Sequence, residues 1–343
     1  MKQDLCTTTP QNRIEWIDAV KAFAILLMIF GHTLDTESKI FAYIYSFHMP
    51  LFIIVSGFFY KDVKFCTLLS KNIKGLLFPY ALTLFFQYII NIILLNMPWD
   101  TALRKYFFTM LSGISIATIM PFPQAEGVGV LWFLPMLFLL KVLFWGITRI
   151  SRGDEKLRLL LILLSVMCGL YLGKTKYWFP WSADIAFVAV IFFYAGFILQ
   201  KKQILSDFVN QKAYIALCLF LWMAGISRGI TLEFIWRKYK GEFTCIIVAI
   251  AGSLVCCALI HHLCKLKRLQ KILSWIGQGS LIILCLHHLE RQFIPFRNIQ
   301  SDAFLFLAET AVILSGYLMI CIIRRLCKTA LTQQSRTTPS CYL

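Results

Sequence analysis

Apolar positions along the chain gather into long runs, separated by short polar clusters rich in Lys and Arg. Ten such runs can be drawn, at roughly 17–34, 41–60, 76–97, 129–149, 157–173, 181–199, 213–229, 243–264, 273–291 and 303–323. An α-helix rises about 1.5 Å per residue, so about 20 apolar residues cross a bilayer core about 30 Å thick. The pattern therefore predicts an all-α integral membrane protein, a bundle of about ten transmembrane helices. The run at 213–229 is the least regular, because Arg228 interrupts its end. A further apolar stretch, FFTMLSGISIATIM (107–120), lies inside the third connection and is expected to be re-entrant or interfacial. The longest connection, 98–128, is too short for a second domain but long enough to cover a site.

Composition excludes the alternatives to a membrane setting. With 59% hydrophobic and only 15% charged residues, and a mean hydropathy of +0.72, the chain cannot be a soluble globule. The net charge of +17 calls for no nucleic-acid partner, because it is concentrated in short loops such as KLKRLQK (265–271) that would face anionic lipid head groups. The 12 cysteines are scattered without a CxxC pair, and most lie within apolar runs, where Cys acts as a small apolar residue. Neither a disulfide framework nor a metal site is expected. The first sixteen residues lead directly into the first run without a small-residue cleavage site, so that run is read as a retained anchor. No feature of the sequence specifies an oligomeric state.

Ionisable groups inside such runs are costly, at least about 2.5–3.5 kcal/mol on insertion scales, and turn inward toward partners or a water-filled cavity. Asp18, Lys21, His32, His48, Lys141, Asp184, His287, His288 and Glu309 form this set. In KAFAILLMIFGH (21–32) the eleven steps from Lys21 to His32 make about three helical turns, which puts both on one face about 16 Å apart. Asp18, three residues earlier, is within reach of Lys21 for an ion pair, an arrangement also open to a purely structural reading. Counting along two antiparallel runs, His32 lies about 22 Å from the inner face and His48 about 10 Å from the outer face, so the two arrive at one level. His287 falls in the same outer half. His261 and His262 close a run beside Lys265 and are read as interfacial. Neutral imidazole, with an ordinary pKa of about 6.5, is the usual general base at physiological pH. A base near one face and a cation reaching toward the other suit a long donor with an anionic head that enters from the cytoplasm, as an acyl-CoA is built.

Four segments resemble one family. RIEWIDAVKAFAILLMIFGHT (13–33) is similar to the first span of the acyltransferase family 3 membrane proteins, in which a basic residue precedes a histidine by eleven positions. FHMPLFIIVSGFFY (47–60) resembles their second span, particularly in the branch resembling fucose 4-O-acetylase. LWFLPMLF (131–138) and SLIILCLH (280–287) are similar to two later elements, with Leu284 standing where the family usually has tyrosine and Lys21 where it usually has arginine. The resemblance implies a single transmembrane acyltransferase domain with its core at 13–325 and cytoplasmic tails at 1–12 and 326–343. It implies transfer of an acyl group, most often acetyl, from acetyl-CoA or another acyl-CoA in the cytoplasm to a carbohydrate hydroxyl at the outer face of a bacterial plasma membrane. No permanently bound cofactor is implied. His32 would be the general base, with His48 assisting it or orienting the acceptor; Arg13 and Lys21 would hold the donor, positioned by Asp18. Ser56 and Gly57 are either site or packing residues, since small residues let spans approach closely. Trp132 either stacks on a sugar or belongs to the interfacial aromatic belt, and His287 is a supporting residue. Intramembrane His, Lys and Asp also build proton-coupled transporters and flippases of sugar-containing substrates, and Pro50, Pro79 and Pro135 could break helices around such a path. No matching pair of broken segments in the two halves of the chain supports that alternative.

Charge placement predicts topology. With the N-terminus inside, the inner loops and tails hold roughly twice as many Lys and Arg as the outer loops, and the positive-inside rule favours that orientation. Reporter fusions at Arg268 and Ser335 should both report cytoplasm and one at Asp35 the exterior. An external C-terminus would invert the assignment of inner and outer ends.

Overall fold

In hydrocarbon every backbone N–H and C=O must be satisfied within the protein, which leaves helices as the means of crossing for a chain patterned in this way. The computed structural model describes residues 14–115, 121–294, 296, 299 and 301–337, and nearly all of its regular structure is helical. The first membrane segment is α1 (Glu15–Thr33), followed by α2 (Lys39–Tyr45) and α3 (His48–Phe58). Next come α4 (Phe65–Asn72), a π-helical turn at Ile73–Leu77, α5 (Phe78–Leu95) and α6 (Trp99–Ser112). A 3-10 turn at Gly129–Trp132 opens α7 (Phe133–Ser151), and α8 (Glu155–Gly173), α9 (Ala183–Lys201), α10 (Ile204–Phe208) and α11 (Lys212–Ser227) follow. The chain ends with α12 (Phe243–Leu263), α13 (Lys267–Gln278), α14 (Ser280–Phe293) and α15 (Asp302–Thr337).

Among the described residues, eight helical segments are long and apolar enough to cross a membrane, and α13 with α14 makes a ninth if the bent pair counts as one span. The remaining expected run corresponds to α11, which at 16 residues is shorter than a full crossing. The protein is thus an all-α membrane protein whose helices follow the apolar runs. Of the stretch 107–120, residues 107–112 belong to α6 and 116–120 lie outside the described residues.

Three departures from straight helices have local causes. Pro50 has no N–H for the carbonyl of Ser46, and the segment breaks between α2 and α3, where Phe47 leaves the helical region at φ −140°. Pro79 likewise cannot bond to Gly75, and the turn before it widens into the π form. The run expected as one span at 273–291 instead starts at Lys267 and bends by 65° at Gly279. A Cβ on Gly279 would lie 2.2 Å from the ring of Tyr317 on α15, so only glycine fits that corner. Elsewhere side chains close the helix ends: Asp154 accepts from the backbone N–H groups of Lys156 and Leu157, and Ser38 from that of Phe41.

Packing at the centre is close. Gly57 of α3 and Gly196 of α9 face each other's backbones, and Gly277 of α13 lies against the carbonyl of Asp18 on α1. Around these crossings Ile29, Ile53, Ile54, Leu84, Leu140, Phe144, Phe192 and Phe193 are fully buried. Large apolar side chains of α5, α8, α11 and α15, among them Phe85, Leu160, Phe220 and Leu318, point outward instead, which suits lipid as the solvent. Between α11 and α12 the chain forms a small antiparallel hairpin pairing Leu232 with Tyr239 and Glu233 with Lys238. Asp184, at the start of α9, pins this hairpin: Arg237 donates to its Oδ2 at 2.9 Å, donates also to the carbonyls of Thr175 and Tyr177, and stacks 3.9 Å from the ring centroid of Trp178. Asp184 is accordingly a structural ion-pair partner.

The glycine crossings yield a stability prediction. A Cβ on Gly57 would lie 2.0 Å from the Phe193 carbonyl oxygen, whereas one on Gly146 meets nothing within 4 Å. In detergent, Gly57→Ala should lower stability by about 1–3 kcal/mol, the usual cost of overpacking. Gly146→Ala should be neutral or stabilise by up to about 1 kcal/mol through helix propensity. Thermal unfolding of the purified proteins checks both, and a Gly57→Ala protein as heat-stable as wild type would contradict so close a crossing.

Candidate active site

Residues of α1, α3, α4, α7 and α14, together with the π turn and the hairpin, line a cavity of about 550 Å³. Its lining is graded. Near one end stands Lys21, whose Nζ is 2.6 Å from Asp18 and 5.8 Å from the ring centroid of Phe59, at the close of α3. Lys61, two residues beyond Phe59, lines the cavity as well, as do Lys71 and Lys141. The Lys141 Nζ donates to Asn72 Oδ1 at 3.2 Å, which gives this lysine a hydrogen-bonding partner inside the bundle. Toward the other end the lining changes to His32, Tyr45, His48, Trp132 and Phe234.

Backbone irregularity places much of this lining. The break before α3 makes His48 the first residue of a new helix, and its Nδ1 lies 2.9 Å from the carbonyl of Ile44. A carbonyl can only accept, so Nδ1 carries the proton and Nε2 keeps a lone pair. Tyr45 separates the two histidines: its ring centroid is 4.7 Å from that of His48 and 6.3 Å from that of His32. Its hydroxyl lies 3.5 Å from His32 Nδ1, at the long limit for a hydrogen bond. Widening at Ile73–Leu77 brings Gly75 and Leu76 into the wall beside Lys71 and Asn72.

Beyond His32, away from the cavity, lies the second half of α14. The ring centroid of His287 is 5.5 Å from that of His32, and His287 is fully buried and absent from the lining. Its Nδ1 is 3.2 Å from Glu290 Oε2. Arg291 of the same helix donates from Nη1 to the main-chain carbonyl of His32 at 3.2 Å. From α15, Glu309 joins the group, and donor atoms of His287, Glu290 and Glu309 lie within 4.8 Å of one another. With His287 Nδ1 engaged by Glu290, the group is an imidazole–carboxylate pair with a second carboxyl beside it. His288 points elsewhere, its Nε2 2.8 Å from Gln87 Oε1 on α5, and ties the two helices together.

The structure thus sets Lys21, His32, His48, Ser56 and Trp132 along one cavity, with Asp18 and His287 immediately outside it. Arg13 lies outside the described residues. Trp132 is only 4% exposed and faces the interior, so it does not belong to a lipid-facing belt. Ser56 lines the cavity, and its neighbour Gly57 makes the helix crossing, which divides the two roles considered for that pair. His261 packs edge-on against Trp16 at 5.0 Å, remote from the cavity. Tyr45, Lys61, Lys71, Glu290 and Arg291 are additions that the apolar pattern did not single out. Glu290 was within reach of a spacing argument, because it follows His287 by three residues on a helix.

Comparison with known proteins agrees with this geometry. An acyltransferase domain family model matches residues 14–324. Over 302 residues the chain is 28% identical to the nodulation protein NolL of Sinorhizobium fredii (strain NBRC 101917 / NGR234), an alignment covering 81% of this chain and 78% of that protein. The family match takes in both α1 with its Lys21–His32 pair and α14 with His287, so it covers the whole cavity, and the chain belongs to acyltransferase family 3 as a membrane acyltransferase.

Proposed function

We propose that the protein transfers an acyl group, acetyl in the first instance, from cytoplasmic acyl-CoA to a hydroxyl of a cell-envelope or exported carbohydrate, across a bacterial plasma membrane. The observation that carries this reading is the single graded cavity, with lysines toward one end and imidazoles and aromatic rings toward the other. Its volume falls in the range of about 300–1,000 Å³ typical of small-molecule sites. Lys21, with Lys61 and Lys71, supplies positive charge for the anionic part of the donor, Asp18 holds Lys21 in place, and Arg13 precedes them in the chain. Trp132, Phe234 and Tyr45 offer flat apolar faces of the kind that pack on the C–H faces of a sugar ring.

The chemistry follows from the side chains present. His32 removes the proton of the acceptor hydroxyl as its oxygen attacks the thioester carbonyl. The tetrahedral intermediate collapses, the C–S bond breaks, and the thiolate leaves and recovers the proton. His48, with its Nε2 lone pair, accepts a hydrogen bond from the acceptor and fixes the attacking hydroxyl. The anionic head of the donor stays at the lysine end while its arm carries the thioester carbonyl to His32, so that the acyl group passes directly to the acceptor there.

A general base contributes about 10²–10⁴ in rate. With the protein in lipid nanodiscs and radiolabelled acetyl-CoA as donor, His32→Ala should reduce transfer by about that factor while the protein still inserts and purifies normally, and His48→Ala should cost less. Lys21→Ala should raise the KM for the donor, and Lys21→Arg should keep much of the activity because the charge is retained. Near-wild-type transfer by His32→Ala would sink the assignment of the base, and an untouched thioester in the wild-type assay would favour a transporter. The acceptor is identified by comparing the polysaccharide of wild-type and deletion strains by mass and proton NMR.

A further inference from the structure

His287 raises a question that the proposed base leaves open. A fully buried imidazole beside a carboxylate is spending a charged partner on something. With Glu290 ionised, a proton must sit between Glu290 Oε2 and His287 Nδ1, which assigns Nδ1–H to His287 and leaves its Nε2 with a lone pair. That Nε2 is buried and has no hydrogen-bond partner among the described residues. The His32 ring packs against the His287 ring, at 5.5 Å between centroids and tilted by 39°, without a hydrogen bond to Nε2. A buried acceptor left without a donor costs about 1–3 kcal/mol, so the arrangement is expensive unless a proton arrives during turnover.

We propose that Glu290 is a positioning residue that acts through His287 on His32, so that α14 supplies a second imidazole to take the proton His32 collects. The step is balanced. The acceptor O–H bond breaks as an N–H bond forms on His32; His32 passes a proton to His287 Nε2, and the resulting imidazolium is held by the Glu290 carboxylate until the proton returns through His32 to the departing thiolate. No oxidant or further reactant is needed. This inference rests on the proposed role of His32 and goes beyond it by assigning a function to two residues outside the cavity.

The surroundings fit a unit that stores a proton. Facing the two imidazoles are Tyr45 and His48 from α2 and α3, Glu290 and Arg291 from α14, and Glu309 from α15, with Glu233 of the hairpin near Tyr45. Arg291 is tied to the His32 carbonyl, so its cation sits at the end of α1 without occupying His287. Glu309 Oε2 is buried with no hydrogen-bond partner among the described residues, so it is not engaged by His287.

The test is Glu290→Gln. Glutamine keeps an oxygen to accept from Nδ1–H but loses the charge that stabilises the imidazolium. A group of this kind stands behind the base, so the expected loss in kcat is about tenfold to a hundredfold, at or below the low end of what direct acid–base groups contribute, with the KM for acyl-CoA unchanged. The acid limb of the kcat–pH profile should move to lower pH, because an imidazole without its carboxylate binds a proton less tightly. Glu290→Asp should restore part of the rate. A merely structural Glu290 would reduce the yield of folded protein and leave the profile in place. Wild-type kcat and profile in Glu290→Gln would overturn the relay while leaving His32 untouched, provided His32→Ala is inactive in the same assay; transfer by both variants would instead remove the base itself. If Glu290→Gln fails to insert, nitrogen-15 NMR of the histidines in the wild-type protein, assigned with His287→Asn, decides the matter. Nδ1–H on His287 supports the proposal and Nε2–H overturns it. A stoichiometric divalent metal in the purified wild-type protein that is lost in Glu309→Gln would also overturn it, by making the cluster a cation site.

Discussion

A bilayer tolerates non-helical backbone only where protein or a water-filled cavity surrounds it, because hydrocarbon offers no hydrogen bonds to a freed N–H or C=O. Each helix break described here borders the same space. The gap before α3 sets His48 into the cavity, the π turn before Pro79 sets Gly75 and Leu76 beside Lys71 and Asn72, and the bend at Gly279 starts α14 at Ser280, itself a lining residue. Two of these breaks follow from a missing proline N–H, and the third falls at a glycine packed against the Tyr317 ring. The interruptions are therefore confined to where they can be satisfied, and the site is assembled there.

The same constraint separates structural charges from those at the site. Arg237 and Asp184 form a buried pair in which the two terminal guanidinium nitrogens also reach main-chain carbonyls, and neither residue lines the cavity. Breaking such a pair by removing one partner leaves an uncompensated charge, typically a loss of about 3–5 kcal/mol, and here it would also release the hairpin that carries Leu232, Phe234 and Ile235 into the cavity wall. Lys21 and Lys141 differ. Each has one polar partner among the described residues, Asp18 or Asn72, and each still lines the cavity. A cation only partly paired is free to meet an anionic ligand, which is the chemical distinction between a clasp and a binding group.

Much of the fold was legible because span length and periodicity are set by bilayer thickness. The starts and ends of α1, α7, α8, α9 and α12 lie within a few residues of the apolar runs. The shared face of Lys21 and His32 was legible too, since eleven residues is nearly a whole number of helical turns. What the run pattern hid was its own interruption. Apolar content continues unbroken through Gly279, and only the packing of Tyr317 from another helix marks the corner. α4 was missed because its polar face, with Lys71 and Asn72, reads as a loop until the π turn joins it to α5. Lys61 and Lys71 escaped for a related reason: a lysine in a loop looks solvated, and only tertiary packing shows that these two exposed side chains also border the cavity.

The bend at Gly279 has a consequence for how α1 is held. Before the bend, α13 packs along the first half of α1, so closely that Gly277 touches the carbonyl of Asp18. After it, α14 meets the last turn of α1, where Arg291 holds the His32 carbonyl and His287 stands beside the ring. A straight span could follow only one crossing angle and would diverge from α1 at one end. A helix bent by 65° can engage both. Lys21 and His32 are thus braced from the same chain segment at opposite ends of one rigid helix. Their separation along α1 is fixed by helical rise at about 16 Å, so a donor reaching from one to the other meets a path of set length. On the proposed reading that length, more than any single contact, decides which thioesters bring their carbonyl to the base.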